Sequence, residues 1–217
     1  YAEHYRSALP RIETPLTVWA SGGAVEGAAD LDAALAEMSP APIPRPFRDG
    51  LTCADKALYI YTSGTTGLPK AAVITHLRMQ VMMQAFSVSV GATSKDVMYD
   101  VLPLYHSAGG ICALGTVFMV GGSVVLRRKF SASHFWEDCA KYKPTLFQYI
   151  GELCRYLLNA PPHPQENAHT LRLAIGNGLR PEIWPAFQNR FKIPKIVEFY
   201  GATEGNVALL NIDGKTG

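Results

Sequence analysis

The chain has 217 residues, 48% hydrophobic and 18% charged, with a formal net charge of +2. That length allows a substantial core in one large domain or two small ones, and so small a net charge argues neither for nucleic acid nor for an acidic membrane surface as partner. Cys53, Cys112, Cys139 and Cys154 are scattered without a Cys-x-x-Cys pair, and the six histidines show no metal-ligand spacing, which disfavours a disulfide framework or a zinc site.

In chain order, Leu16 to Ala20 reads as a strand, and Asp30 to Met38 as a short helix with an acidic start. Ser39 to Pro46 carries four prolines in eight positions and predicts an extended linker. Residues 1–50 are therefore expected to form a peripheral segment. Beyond them, Ala57 to Tyr61 predicts a strand, Ala71 to Thr75 another, and His76 to Val88 a helix. Asp96 to Pro103 contains a short strand, Leu104 to Met119 reads as a buried helix, and Ser123 to Leu126 as an apolar strand.

The later alternation is regular. Ser131 or Ser133 can cap a helix that Pro144 stops after Tyr142. Thr145 to Ile150, Leu171 to Ile175 and Ile196 to Tyr200 predict strands; Glu152 to Asn159 and Pro181 to Phe191 predict helices. Repeated strand–helix units with short, wholly apolar strands specify an α/β fold: a parallel β-sheet with helices on both faces. No signal peptide opens the sequence. The longest apolar stretch, Ile111 to Leu126, is interrupted by Gly115, Gly121, Gly122 and Ser123 and is too short to predict a membrane span. A cytoplasmic location, or one on the cytoplasmic face of a membrane, is expected.

Thr62-Ser63-Gly64-Thr65-Thr66-Gly67-Leu68-Pro69-Lys70 follows the first of these apolar strands. Gly64 and Gly67 let backbone N–H groups approach a ligand, the hydroxyls of Thr62, Ser63, Thr65 and Thr66 add adjustable donors, and Lys70 adds a mobile charge. Together they make an anion cradle. Its spacing is not that of the Gly-x-x-x-x-Gly-Lys-Ser/Thr loop. In open parallel sheets ligands bind at the carboxyl ends of the strands. The cradle, Gly176-Asn177-Gly178-Leu179-Arg180 and Tyr200-Gly201-Ala202-Thr203-Glu204-Gly205 are all expected at such ends. Glu152 and Arg155 read as a local ion pair.

Tyr61 to Lys70, paired with Tyr200-Gly201-Ala202-Thr203-Glu204, resembles the adenylate-forming (AMP-binding) superfamily of acyl-CoA synthetases, luciferase and peptide-synthetase adenylation domains. Leu102 to Gly109, Lys129 to Trp136 and Gln148 to Asn159 narrow the resemblance to the fatty acid transport protein group of very-long-chain acyl-CoA synthetases. The resemblance implies that residues 51–217 are the central part of an adenylation domain. It also implies that the ribose-binding Asp, hinge and lysine-bearing C-terminal lid domain of the family lie outside these residues, so that this stretch alone would be weakly active or inactive.

The implied activity is that of a long- or very-long-chain fatty acid–CoA ligase. A fatty carboxylate attacks ATP to give acyl-AMP, and CoA then displaces AMP. By the same resemblance Thr62 to Lys70 would hold the β- and γ-phosphates, Thr203 would donate to the α-phosphate, and Glu204 would bind Mg²⁺. Tyr200 would stack on or flank adenine, with Gly201 and Ala202 beside it. The backbone of Gly176, Asn177 and Gly178 would meet the adenine edge, and His106 would lie near the reacting carboxylate. Lys70, Thr203, Glu204 and His106 are the candidate catalytic residues. The partners implied are ATP, a fatty acid and coenzyme A, with no nucleic acid; any peripheral membrane association would come through parts outside these residues. Two competing readings are fatty acid transport and adenylation of another carboxylate such as a bile acid. An amino acid substrate is disfavoured, because Leu104 to Val120 and Phe147 to Gly151 offer no obvious acidic partner for its ammonium. A noncatalytic ATP-binding module is a third.

Overall fold

Strands that are apolar throughout must be covered on both faces, and that requirement organises most of this chain. In the computed structural model, which describes residues 2–62 and 67–216, the chain divides into two compact units, residues 1–50 and 51–217.

The first unit contains α1 (Ala2–Ala8), two residue pairs in parallel register, β1 (Trp19–Ala20) and β2 (Ala29–Asp30), and α2 (Leu31–Ala36). Asp30 caps α2 by accepting from the Ala33 N–H at 3.0 Å. None of its described residues is buried. Where an extended linker is predicted, the chain instead winds a 3-10 turn at Arg45–Arg48. Pro46 sits in the first turn of that element, where its missing N–H costs nothing.

The second unit begins with β3 (Lys56–Thr62) and β4 (Lys70–Thr75), followed by α3 (His76–Ser89) and β5 (Val97–Asp100). A π-helix over Ala108–Ala113 runs directly into α4 (Leu114–Phe118). Then come β6 (Ser123–Leu126), α5 (Phe135–Tyr142), β7 (Leu146–Ile150), α6 (Gly151–Asn159), β8 (Leu173–Asn177), α7 (Trp184–Phe191), β9 (Ile196–Tyr200) and β10 (Leu209–Asn211). The sheet order is β10-β9-β8-β7-β5-β6, parallel from β9 to β6, with β10 antiparallel on its edge. Helices cover both faces. Tyr99, Phe147, Tyr149, Ala174 and Ile196 point to the face packed by α5, α6 and α7. Met98, Leu146, Ile175 and Val197 alternate with them and meet Phe86 of α3, Cys112 and Ala113 of the π-helix, and Val117 of α4.

Three further expectations are corrected. The cradle does not end a strand of the parallel sheet: β3 and β4 pair antiparallel, Thr62 opposite Lys70, in a two-stranded sheet of their own. Seven residues separate these strands, too few for the helical crossover that parallel neighbours require. Ile60 and Ile74 of this hairpin pack on Ile111 and the methionines of α3. The buried helix predicted from Leu104 starts only at Ala108 and opens as a π-helix. Neither Ser131 nor Ser133 caps the backbone of α5; both hydroxyls lie against Nδ1 of His134, at 2.9 and 3.1 Å.

Order in the sheet reverses at β5: β6 lies on one side of it and β7 on the other. Loops leaving β5 and β7 therefore diverge at their carboxyl ends and open a crevice there. The opposite end is held by Asp96, just before β5. Arg172 donates to it from Nε at 2.8 Å and from Nη2 at 2.9 Å, Thr145 at 2.7 Å, and the Thr93 N–H at 2.8 Å. Burial opposes ionisation of Asp96, but the bonds from Arg172, Thr145 and Thr93 outweigh it and hold its pKa well below the usual carboxylate range.

A carboxylate with a lowered folded pKa contributes stability that is present above its unfolded pKa, near 3.8, and fades as pH falls toward the folded value. Asp96→Asn should cost about 2–3 kcal/mol at neutral pH by urea unfolding, the exposure of Arg172 keeping the loss at the low end for a broken ion pair. The loss should shrink steadily below pH 4.

Candidate active site at the carboxyl ends of the sheet

Four loops leave the parallel strands at one edge of the sheet. The loop after β5 carries His106 and Ser107, that after β7 opens α6 at Gly151, that after β8 carries Gly178, and that after β9 runs from Gly201 to Asn206. Contacts between them set the site. Gly151 and Gly178 lie so close that a Cβ on Gly151 would stand 1.8 Å from the Gly178 carbonyl oxygen. A Cβ on Gly176 would stand 2.2 Å from the Tyr149 carbonyl oxygen. Only glycine permits these approaches.

Glu198 of β9 joins the same strands through its carboxylate. It accepts from the Leu179 N–H at 3.0 Å, from the Gly178 N–H, and from the Tyr149 hydroxyl. Burial raises its pKa against the pull of those bonds. Sequence reasoning passed over Glu198. Its signal was a lone carboxylate in an otherwise apolar strand, Ile196-Val197-Glu198-Phe199-Tyr200.

Between these strands and β10 lies a cleft of about 640 Å³. Asn177, Gly178, Tyr200 and Gly201, all candidate ligand contacts, line it together with Glu198 and Leu210. Tyr200 is 77% exposed, so its ring is available for stacking rather than spent in the core. Gly176, by contrast, packs within the sheet against Tyr149. A second cleft, of about 470 Å³, lies within the first unit around Tyr5, Trp19 and Val25, and borders none of the candidate residues.

Thr203 is buried and its hydroxyl lies 3.1 Å from that of Ser107. This bond brings the loops after β5 and β9 together. His106, next to Ser107, is exposed, and its Nδ1 accepts the Ala108 N–H at 3.3 Å. In the neutral ring that leaves the proton on Nε2. Glu204 is exposed and forms no ion pair among the described residues, and Ala202 is exposed beside it.

Lys70 and Thr62 face each other at the mouth of the hairpin, the Thr62 hydroxyl donating to the Lys70 carbonyl at 3.4 Å. Gly67 is exposed. Ser63, Gly64, Thr65 and Thr66 lie outside the described residues. Lys70 and Thr75 are the two ends of β4, about 17 Å of strand apart. The cradle is thus at the end of the hairpin away from α3, and no described contact joins Lys70 to Thr203.

The family model for AMP-binding enzymes matches residues 9–216. The chain belongs to the AMP-binding enzyme family. It is 54% identical over 187 residues to long-chain fatty acid transport protein 1 of Bos taurus, covering 86% of this chain and 29% of that protein. Against long-chain fatty acid transport protein 3 of Homo sapiens it is 46% identical over 220 residues, covering 100% of this chain and 32% of the relative. The chain thus spans about three tenths of the length of these relatives. Its fold also matches ATP-bound MatB from Rhodopseudomonas palustris, with a TM-score of 0.68 and 24% identity over 88% of this chain and 37% of that one.

In this member of the AMP-binding enzyme family the carboxyl ends of β5 and β7 also hold buried polar groups to which the sequence alone assigns no role. Asp100 and Gln148 are both fully buried, one step beyond the paired Tyr99 and Phe147 and on the same face as Met98 and Leu146. Asp100 Oδ1 accepts from the Leu102 N–H at 2.9 Å. Its Oδ2 and both polar side-chain atoms of Gln148 have no partner among the described residues. Gln148 thus places a neutral polar group in the mostly apolar stretch Phe147 to Gly151.

Burial pushes the Asp100 pKa up to about 6, against the bond from Leu102. A raised carboxylate pKa contributes stability that is complete below the unfolded pKa, near 3.8, and lost as pH rises through about 6. Asp100→Asn should therefore flatten the fall in urea midpoint between pH 4 and 6.5. An unchanged slope in that window would show that Asp100 does not titrate there.

Proposed function

We propose that this chain forms the nucleotide- and carboxylate-handling part of a long- or very-long-chain fatty acid–CoA ligase. The observation that carries the reading is the cleft in which Asn177, Gly178, Tyr200 and Gly201 meet, one short loop from the buried Thr203 and exposed Glu204. Family membership supports an ATP-dependent reaction, and about half-identity to proteins named for long-chain fatty acids supports the substrate.

Adenine enters the cleft beside the exposed Tyr200 ring, and the backbone at Asn177–Gly178 reads its edge. Charge develops on the α-phosphate oxygens as the fatty carboxylate attacks, so placed donors serve this step better than a protein nucleophile. The Thr203 hydroxyl, aimed by Ser107, donates there. The His106 Nε2–H donates to the attacking carboxylate and holds it in line. The cradle from Thr62 to Lys70 holds the β- and γ-phosphates and stabilises the departing pyrophosphate.

Glu204 is a hard-oxygen donor without a competing ion pair among the described residues. No group of three His, Cys, Asp or Glu side chains in those residues is arranged to hold a metal. One carboxylate beside a phosphate site fits Mg²⁺, which takes few protein ligands and several phosphate or water oxygens. Bound there, the ion would neutralise phosphate charge. CoA thiol then attacks the acyl carbon, forming the thioester and releasing AMP. An uptake role, of the kind the relatives' names state for them, would follow from trapping the acid as its thioester.

ATP–pyrophosphate exchange in the intact protein, with fatty acids of increasing length and a bile acid as alternatives, tests this. Fatty-acid-dependent exchange should fall about 100-fold or more in both Lys70→Ala and Glu204→Gln. Rates unchanged in both would remove the site, and exchange supported only by the bile acid would move the substrate.

A further inference from the structure

We infer that Arg78 is a positioning residue for the Thr203–Glu204 loop. The inference rests on reading that loop as the phosphate and Mg²⁺ side of the site, and it assigns a role that the sequence motifs do not contain.

Arg78 is the third residue of α3, whose N-cap Thr75 accepts the Arg78 N–H at 3.2 Å. From there its guanidinium crosses to a loop 125 residues further along the chain. Nη2 donates to the Thr203 carbonyl at 2.8 Å and to the Gly205 carbonyl, and Nη1 donates to Asn206 Oδ1 at 3.1 Å. The two carbonyls flank Glu204. Fixing them from behind sets the direction in which the Glu204 side chain leaves the backbone, while Ser107 fixes the Thr203 hydroxyl from the other side. One planar fork does what three separate donors would otherwise have to do.

The acceptors are two carbonyls and an amide, and Arg78 forms no ion pair among the described residues. A half-buried, unneutralised cation therefore stands behind the loop. That charge favours an anion on the loop's far side. A loop needing only mechanical support could be held by a neutral donor or by an internal turn, such as the bond from the Gly205 N–H to the Ala202 carbonyl already present at 3.0 Å.

The test uses the intact protein, with exchange rates measured across series of Mg²⁺ and ATP concentration for Arg78→Gln, Arg78→Lys and Asn206→Ala. Arg78→Gln should lower kcat about 100-fold, and Arg78→Lys, which keeps the charge but not the fork, about tenfold. Both should raise the half-maximal Mg²⁺ concentration several-fold. Asn206→Ala, which removes one exposed acceptor, should cost about two- to threefold. If Arg78→Gln fails to fold, the Lys and Asn206 variants carry the test. A purely structural Arg78 would lower activity in proportion to folded protein and leave both concentration dependences unchanged, and that result overturns the inference. Loss of exchange in Glu204→Gln with normal Arg78 variants removes the inference alone. Absence of exchange in the unaltered protein removes the adenylation reading beneath it.

Discussion

One carboxylate fixes the geometry on which the site depends. Glu198 belongs to β9, takes a hydrogen bond from Tyr149 of β7, and takes two more from the backbone just after β8. Three strands are thereby tied together at the end where the loops depart. Without such a tie, twist would let the loop at Asn177–Gly178 and the loop at Gly201 splay apart, since adjacent strands are rotated by about 20°. The glycines at 151 and 176 act in the same sense from the steric side, because any side chain there would push the strands or loops apart. The width of the cleft is set by a polar tie and by two absences of bulk.

Those ties come at a cost. Glu198 is held at a depth where burial disfavours its charge, and Asp100, Gln148 and the Nε of Arg78 bury polar atoms without partners among the described residues. An unmet buried polar atom costs about 1–3 kcal/mol. The largest concentration of such groups lies toward the carboxyl ends of β5 and β7. The opposite end is handled differently: Asp96 meets Arg172, Thr145 and Thr93, and every carboxylate oxygen is used. One end of the sheet is satisfied by its own side chains, and the other is left with capacity to bind.

The fold class was legible because β7, β8 and β9 are short apolar runs separated by helices, and a strand with no polar face has to be covered twice. The hairpin was misplaced for a definite reason. Ala57 to Tyr61 looks like any other buried strand, and only the seven-residue separation from β4 shows that the two must be antiparallel. Candidate residues in the Tyr200 to Glu204 and Gly176 to Gly178 stretches could be named because their glycines and hydroxyls break apolar patterns. Arg78 could not. On a helix that begins His-Leu-Arg-Met-Gln it reads as a surface cation, and its role comes from acceptors 125 to 128 residues away. Glu198 and Asp100 were hidden in the same way, each a single charge in a strand whose neighbours set its meaning.

The distribution of charge carries the last step. Lys70 stands at the mouth of the hairpin, Arg78 behind the loop after β9, and Glu204 between that loop and solvent. If every group near the phosphates were cationic, ATP and pyrophosphate would both bind tightly, and product release would slow the cycle. A carboxylate that engages phosphate only through a shared cation makes binding conditional on that cation, and it repels the bare anion. Arg78 keeps Glu204 in place without neutralising it, since it grips the neighbouring carbonyls and not the carboxylate. On the proposed reading, a preference for metal-complexed nucleotide over the bare anion would rest on the backbone contacts of Arg78 rather than on a side chain that touches either one.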